Sequence, residues 1–320
     1  MINIGNTIVR RWQLPLSLVL TTLLSIAGLT ACGDGSDSSS TTPVVASNST
    51  AGVLCDYISN VFNSSPSVNA TATATWSCSS TLRSLTTNGL PDHAVGMFPN
   101  VNNPNTIAAR PTVVSGTLTP TLTSAVTAQS GPGVPMGYVL NGIKLDPGTA
   151  GACDDTGTNC DPGRPVGAWN LEAIGGAFNF GTDANNAHVQ PDGSYHYHGI
   201  PEGFVAKLNK GQAMTLIGWA ADGFPIYARY VHSVAADATS ALRVAKTSYR
   251  IKAVPDVRRP ATSLFPMGTF TQDYEYVAGL GDLDECNGRT GVTPEFPRGI
   301  YHYYATDTYP YLQRCVKGKL

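Results

Sequence analysis

Past about residue 53 the chain alternates apolar and polar side chains in short bursts, and little of it keeps the three-to-four spacing of a surface helix. Val113 to Val126 is rich in valine and threonine with partial alternation, which suits a half-buried strand. Pro120 marks an edge or break within it, because proline has no N–H for a ladder. Tyr138-Val139-Leu140 and Ile143-Lys144-Leu145 flank Asn141-Gly142, a pair that accepts the positive φ of a tight hairpin turn. Thr215 to Trp219 and Phe224 to Tyr230 flank Asp222-Gly223 in the same way. Helical spacing is best in Val234 to Lys246, where a helix is expected. The fold class expected is mainly β: a single β-rich, sandwich- or barrel-like domain with long loops.

The start of the chain reads differently. Arg10 and Arg11 precede an apolar run from Leu14 to Leu29, and small residues follow. Basic start, apolar middle and small-residue end are the marks of a signal peptide over 1–31. Leu29-Thr30-Ala31-Cys32 resembles a bacterial lipobox, which implies lipidation of Cys32 and a membrane anchor at the N-terminus. Gly33 after that cysteine favours the outer membrane, with the domain periplasmic or surface-facing. Residues 32–52, rich in Ser and Thr, lack the apolar side chains that offset ordering and read as a flexible tether. The folded domain is expected over 53–320.

Composition narrows the class. With the leader removed, 18 basic residues stand against 22 acidic, a net charge of about −4. Such a chain offers no electrostatic footprint for nucleic acid. Apart from Cys32, six cysteines remain, and their clustering favours the sequential pairing Cys55–Cys78, Cys153–Cys160 and Cys286–Cys315. Bridges of this kind persist in an oxidising compartment and would leave no thiol for nucleophilic catalysis.

The concentrated chemistry lies at 188–198, His-Val-Gln-Pro-Asp-Gly-Ser-Tyr-His-Tyr-His. In a strand, His196 and His198 share one face while Tyr195 and Tyr197 take the other. The Pro191-Asp192-Gly193 turn can fold His188 back toward that pair. Three imidazoles meeting at one point would hold a transition metal. Copper is the first expectation by affinity order and zinc the second. The competing assignment for any single histidine is a hydrogen bond to buried backbone.

The blocks PDHAVGMFPNVNNPN, AHVQPDGSYHYHGIP, GWAADGFPIYARY and DLDECNGRTGVTPEFPRGIYHYYATDTYPYLQRC, in this order, resemble the YHYH-domain family of secreted bacterial proteins over about Leu90 to Cys315. The resemblance implies the domain and leaves its activity open. His93 and His302 lie inside these blocks and are further candidate ligands. Two other readings stand beside metal binding or handling. One is a metal-dependent hydrolase or oxidase using the same histidines, with a carboxylate base such as Asp183. The other is a non-metal carbohydrate or adhesion module that uses the tyrosines together with Trp219. Glu172 and Asp192 flank the first histidine block, and Asp192 and Asp222 are expected to cap turns. Asp282, Asp284 and Glu285 form an acidic group, but Cys286 stands where a calcium loop needs oxygen. Gly-x-Ser-x-Gly, His-Glu-x-x-His, P-loop and dinucleotide fingerprints are absent from the sequence.

Overall fold

Short strands separated by turn residues build two main sheets. The computed structural model describes residues 54–320, apart from 130, 132 and 177. The leader, Cys32 and the tether lie outside the described residues. Ile58–Asn63, Ala70–Cys78, Leu82–Thr87 and Thr112–Thr117 form a four-stranded antiparallel meander. Its alternation sends Ala72, Ala74, Trp76 and Leu85 inward while Thr71 and Thr75 face solvent. Pro120 falls between Thr112–Thr117 and the next strand, Leu122–Ala128, so the interruption expected there is real.

The central sheet has eight strands in the order Ala187–Val189, Tyr195–Tyr197, Lys144–Leu145, Gly137–Val139, Thr215–Ala220, Pro225–Ala228, Ile300–Ala305, Gly288–Gly291. Two of its pairings are parallel, Tyr195–Tyr197 with Lys144–Leu145 and Pro225–Ala228 with Ile300–Ala305. The rest are antiparallel. Among the described residues the sheet is open, with hairpins at both edges and no closure into a barrel.

Both expected hairpins are present. Gly142 has φ +85° and Gly223 has φ +87°, a region that favours glycine. Gly142 also packs so tightly that a Cβ would sit 2.2 Å from Thr87 Oγ1. The meander therefore lies against this turn, and Trp76 donates its indole N–H to Leu140 O across the contact. Trp76, Leu85, Leu140, Ile143, Leu145 and Tyr197 belong to the resulting core. Burial of each such side chain stabilises the fold by roughly 1.5–3 kcal/mol.

The helix expected over 234–246 is absent. Asp237 Oδ1 accepts the Thr239 N–H and ties that stretch into turns, after which Leu242–Val244 pairs as a strand with Tyr230–His232. A helix forms instead at Glu202–Leu208. Pro201 stands immediately before it, and Asn209 ends it in the left-handed region at φ 50°. The three disulfides pair as the cysteine clustering indicated. Cys286–Cys315 fastens the Gly288–Gly291 edge to Cys315–Gly318, a strand that pairs with Leu122–Ala128.

Candidate metal centre

The first edge hairpin delivers all three histidines of the 188–198 segment. Gly193 takes φ +92° in the turn, Asp192 Oδ1 accepts the Ser194 N–H, and Gln190 bonds to Ser194, so His188 falls directly opposite His196. His198 lies just beyond the strand, its N–H bonded to Asn186 O. Its Nε2 is 3.0 Å from the Nε2 of His188 and 3.0 Å from that of His196. One ligand atom from each residue falls within 4.8 Å of the others, so the three form a group that can hold a metal ion. Tetrahedral bonds of about 2.0–2.1 Å place neighbouring nitrogens about 3.3 Å apart, close to this spacing.

The protonation pattern agrees with ligation. His188 Nδ1 bonds to Phe180 O at 3.0 Å and His196 Nδ1 to Ser194 O at 3.2 Å. Carbonyl oxygens only accept, so both Nδ1 atoms carry the proton and both Nε2 atoms present lone pairs. His198 Nδ1 is buried without a hydrogen-bond partner. A proton on His198 Nε2 can satisfy only one of its two nitrogen neighbours, whereas a cation satisfies all three lone pairs. Carbonyls holding the distal nitrogens are also the usual outer support of metal-bound imidazole.

His196 and His198 are buried and His188 is partly so. Burial lowers the pKa of all three, most strongly for His196 and His198, and the neighbouring imidazoles add to the effect at those two. Neutral imidazole, the ligating form, is thereby favoured. His188 and His196 border a cleft of about 680 Å³ also lined by Phe180, Gln190, Asn103 and Asn105.

The remaining candidate residues lie elsewhere. His93 Nδ1 bonds to Ala94 O and its Nε2 to the Tyr197 hydroxyl. His302 Nδ1 bonds to Ile300 O at 2.9 Å and its Nε2 to the Tyr304 hydroxyl at 2.8 Å. Each is thus satisfied at both nitrogens, and neither joins the cluster. Asp183 does not stand free as a base. Its oxygens accept from the Tyr195 hydroxyl, the Asn185 side chain and the Gly96 and Asn185 N–H groups. Glu172 forms a buried ion pair with Arg314. Asp282 pairs with Arg243, and Asp284 and Glu285 share Lys317, so each carboxylate of that acidic group is engaged by a cation of the chain itself.

The tyrosines of the Tyr195–Tyr197 and Ile300–Ala305 strands are interior. Tyr195, Tyr197, Tyr227, Tyr303 and Tyr304 are fully buried, and Trp219 is buried beneath Arg83. Their hydroxyls are spent on internal hydrogen bonds, as at Tyr227 with Thr293 and Glu295.

Two neighbours of the triad escape a reading by motif. Lys144 is paired with His196 in register, so the two share a face of the sheet. Lys144 Nζ donates to Gln190 and lies 3.9 Å from Asp146, which also accepts from Gln190 and from the Gly133 N–H. Burial pulls the Lys144 pKa down and pushes the Asp146 pKa up. The only available signal was Lys144 following the Asn-Gly turn, and it acquires meaning once the parallel pairing is known.

Sheet and site together define a disulfide-stapled, mainly β protein with a three-histidine cluster on one sheet edge. The family model described as YHYH protein matches residues 114–318, and the chain belongs to that family. The match begins after the PDHAVGMFPNVNNPN block. No curated protein and no solved structure gives a significant match.

Proposed function

We propose that this is an exported cell-envelope lipoprotein whose YHYH domain binds one transition-metal ion through His188, His196 and His198, in a role of metal binding or handling. The observation that carries the reading is the convergence of three Nε2 atoms, with the distal nitrogens of His188 and His196 backed by backbone carbonyls. Neutral imidazoles without a thiolate suit copper first and zinc second. Export and outer-membrane anchoring rest on the 1–31 leader and on Cys32, and three disulfides suit an oxidising compartment.

Calorimetric titration of the metal-free protein with copper and zinc salts tests this directly. The wild type takes up one equivalent. His198→Ala weakens affinity by at least about 100-fold, beyond the 10–100-fold cost of losing an outer support. Wild-type protein that takes up neither ion contradicts the proposal.

The 680 Å³ cleft beside His188 and His196 supports a second reading, metal-dependent hydrolysis or oxidation at an exchangeable coordination position. Azide added to the copper-loaded protein would produce a new charge-transfer band under this reading and none at a closed site. A base for such chemistry would have to be other than Asp183.

A further inference from the structure

The central sheet contains the same unit twice. Gly137-Tyr-Val-Leu-Asn-Gly-Ile-Lys-Leu145 and Gly218-Trp-Ala-Ala-Asp-Gly-Phe-Pro-Ile226 align without a gap. Val139 N–H bonds to Ile143 O at 2.9 Å, and Ala220 N–H to Phe224 O at 2.8 Å. Asn141 Oδ1 accepts the Ile143 N–H as Asp222 Oδ1 accepts the Phe224 N–H, both at 3.3 Å. The two hairpins meet with Tyr138 opposite Trp219, Val139 opposite Gly218 and Gly137 opposite Ala220. Exchanging the two copies leaves that register unchanged, as a twofold axis between Tyr138 and Trp219 requires.

The edge hairpins repeat as well. Asp183-x-x-Asn186-x-His188 corresponds to Asp284-x-x-Asn287-x-Arg289, and Tyr195-His-Tyr-His198 to Tyr301-His-Tyr-Tyr304. Asn186 and Asn287 both take positive φ, 55° and 60°. Tyr195 donates to Asp183 as Tyr301 donates to Asp284. The His198 N–H bonds to Asn186 O at 2.8 Å and the Tyr304 N–H to Asn287 O at 2.9 Å. His188 faces His196, and Arg289 faces His302. Tyr197 pairs with Leu145 in parallel, and Tyr303 with the equivalent Ile226. Chance does not reproduce register, turn conformation and side-chain bonds together at this many related positions.

We propose that the domain is a fused duplication of one hairpin-pair unit, and that its C-terminal copy holds a converted metal site in which Arg289, His302 and Tyr304 occupy the positions of His188, His196 and His198. In the converted site the Tyr304 hydroxyl donates to the His302 lone pair, and Arg289, its guanidinium 5.8 Å from the centre of the Tyr304 ring, supplies a fixed positive charge. Arg289 is anchored by a bond to His232 O. The wild type therefore binds one ion and not two, and Arg289→His with Tyr304→His restores the missing ligands on a backbone already shaped for them.

The test is the number of zinc and copper equivalents bound by the full-length protein, with folding followed by near-ultraviolet circular dichroism. The gain of metal rests on the three-histidine reading; the structural equivalence of the copies does not. Arg289→His/Tyr304→His is expected to raise the stoichiometry from one to two, and the same pair in a His188→Ala/His198→Ala background from none to one. A folded double variant that stays at one equivalent overturns the proposal. Should that variant fail to fold, the reciprocal His188→Arg/His198→Tyr protein decides: it must fold, bind no metal and melt within a few degrees of the metal-free wild type. Its collapse would overturn the equivalence. Wild-type protein that binds no metal defeats the functional reading alone, since folding of the reciprocal variant still judges the duplication.

Discussion

At one edge of the central sheet His196 faces His188 across a hairpin, and at the other His302 faces Arg289 in the same register. The backbones match and the chemistry does not. Where His198 brings a third nitrogen lone pair, Tyr304 brings a hydroxyl that donates to His302. His93 is treated the same way by Tyr197. Among the five histidines of these blocks, the three candidate ligands are the ones whose second nitrogen no tyrosine hydroxyl reaches. The number of histidines in a block is therefore a poor guide to ligation, and the partner of each Nε2 is a better one.

The edges also differ in how they are held. Cys286, tied to Cys315, occupies the place taken at the first edge by Asn185, whose amide donates to Ala94 O while its oxygen accepts the Gly203 N–H. Replacing Cys286 and Cys315 by serine is expected to cost about 2–5 kcal/mol. Denaturant unfolding measures this, and an unchanged midpoint would mean that the bridge does not fasten the second edge.

Acid provides a second contrast. Burial holds the His302 pKa down at about 4, so it is neutral in the folded protein. The unfolded chain takes up that proton below about pH 6.5. Between those values the unfolded state binds more protons, so stability present above pH 6.5 is lost as pH falls toward 4, by on the order of 3 kcal/mol. Metal-free protein carrying His302→Gln should lose less stability over that interval than the wild type does. Equal slopes in urea unfolding at several pH values would contradict the assignment.

A smaller effect separates the two central hairpins. Tyr303 donates to the buried carboxylate of Asp222 at 2.6 Å and accepts the Lys317 N–H, whereas Tyr197 donates to the neutral imidazole of His93 and accepts from the neutral amide of Asn141. Hydrogen bonds to charged groups are worth about 1.5–3 kcal/mol and neutral ones about 0.5–1.5 kcal/mol. Tyr303→Phe should therefore destabilise the protein more than Tyr197→Phe. The reverse order in paired unfolding curves would remove this distinction between the copies.

Much of the frame was legible in the residues alone. Asn141-Gly142 and Asp222-Gly223 announced their hairpins because few other pairs accept that turn, and cysteine clustering anticipated the three bridges. The triad was legible because residues two apart share a strand face and a short turn returns His188 to its partner. The helix at Glu202–Leu208 was hidden by its brevity and by Gly203, while Val234 to Lys246 carried helical spacing that Asp237 and the strand at Leu242–Val244 overrode. The fates of His93 and His302 depended on tyrosines placed by long-range pairing, which local spacing does not encode. Lys144 and Asp146 became neighbours of the site through a parallel strand pairing of the same kind.

X-ray absorption spectroscopy of the copper- or zinc-loaded protein reads the ligand set itself. A single metal environment with three imidazole nitrogens at about 2.0–2.1 Å is expected, reduced to fewer imidazoles in His198→Ala and unaltered in His93→Gln and His302→Gln. A metal shell without three imidazoles, or one that changes when His302 is replaced, would contradict the three-histidine site.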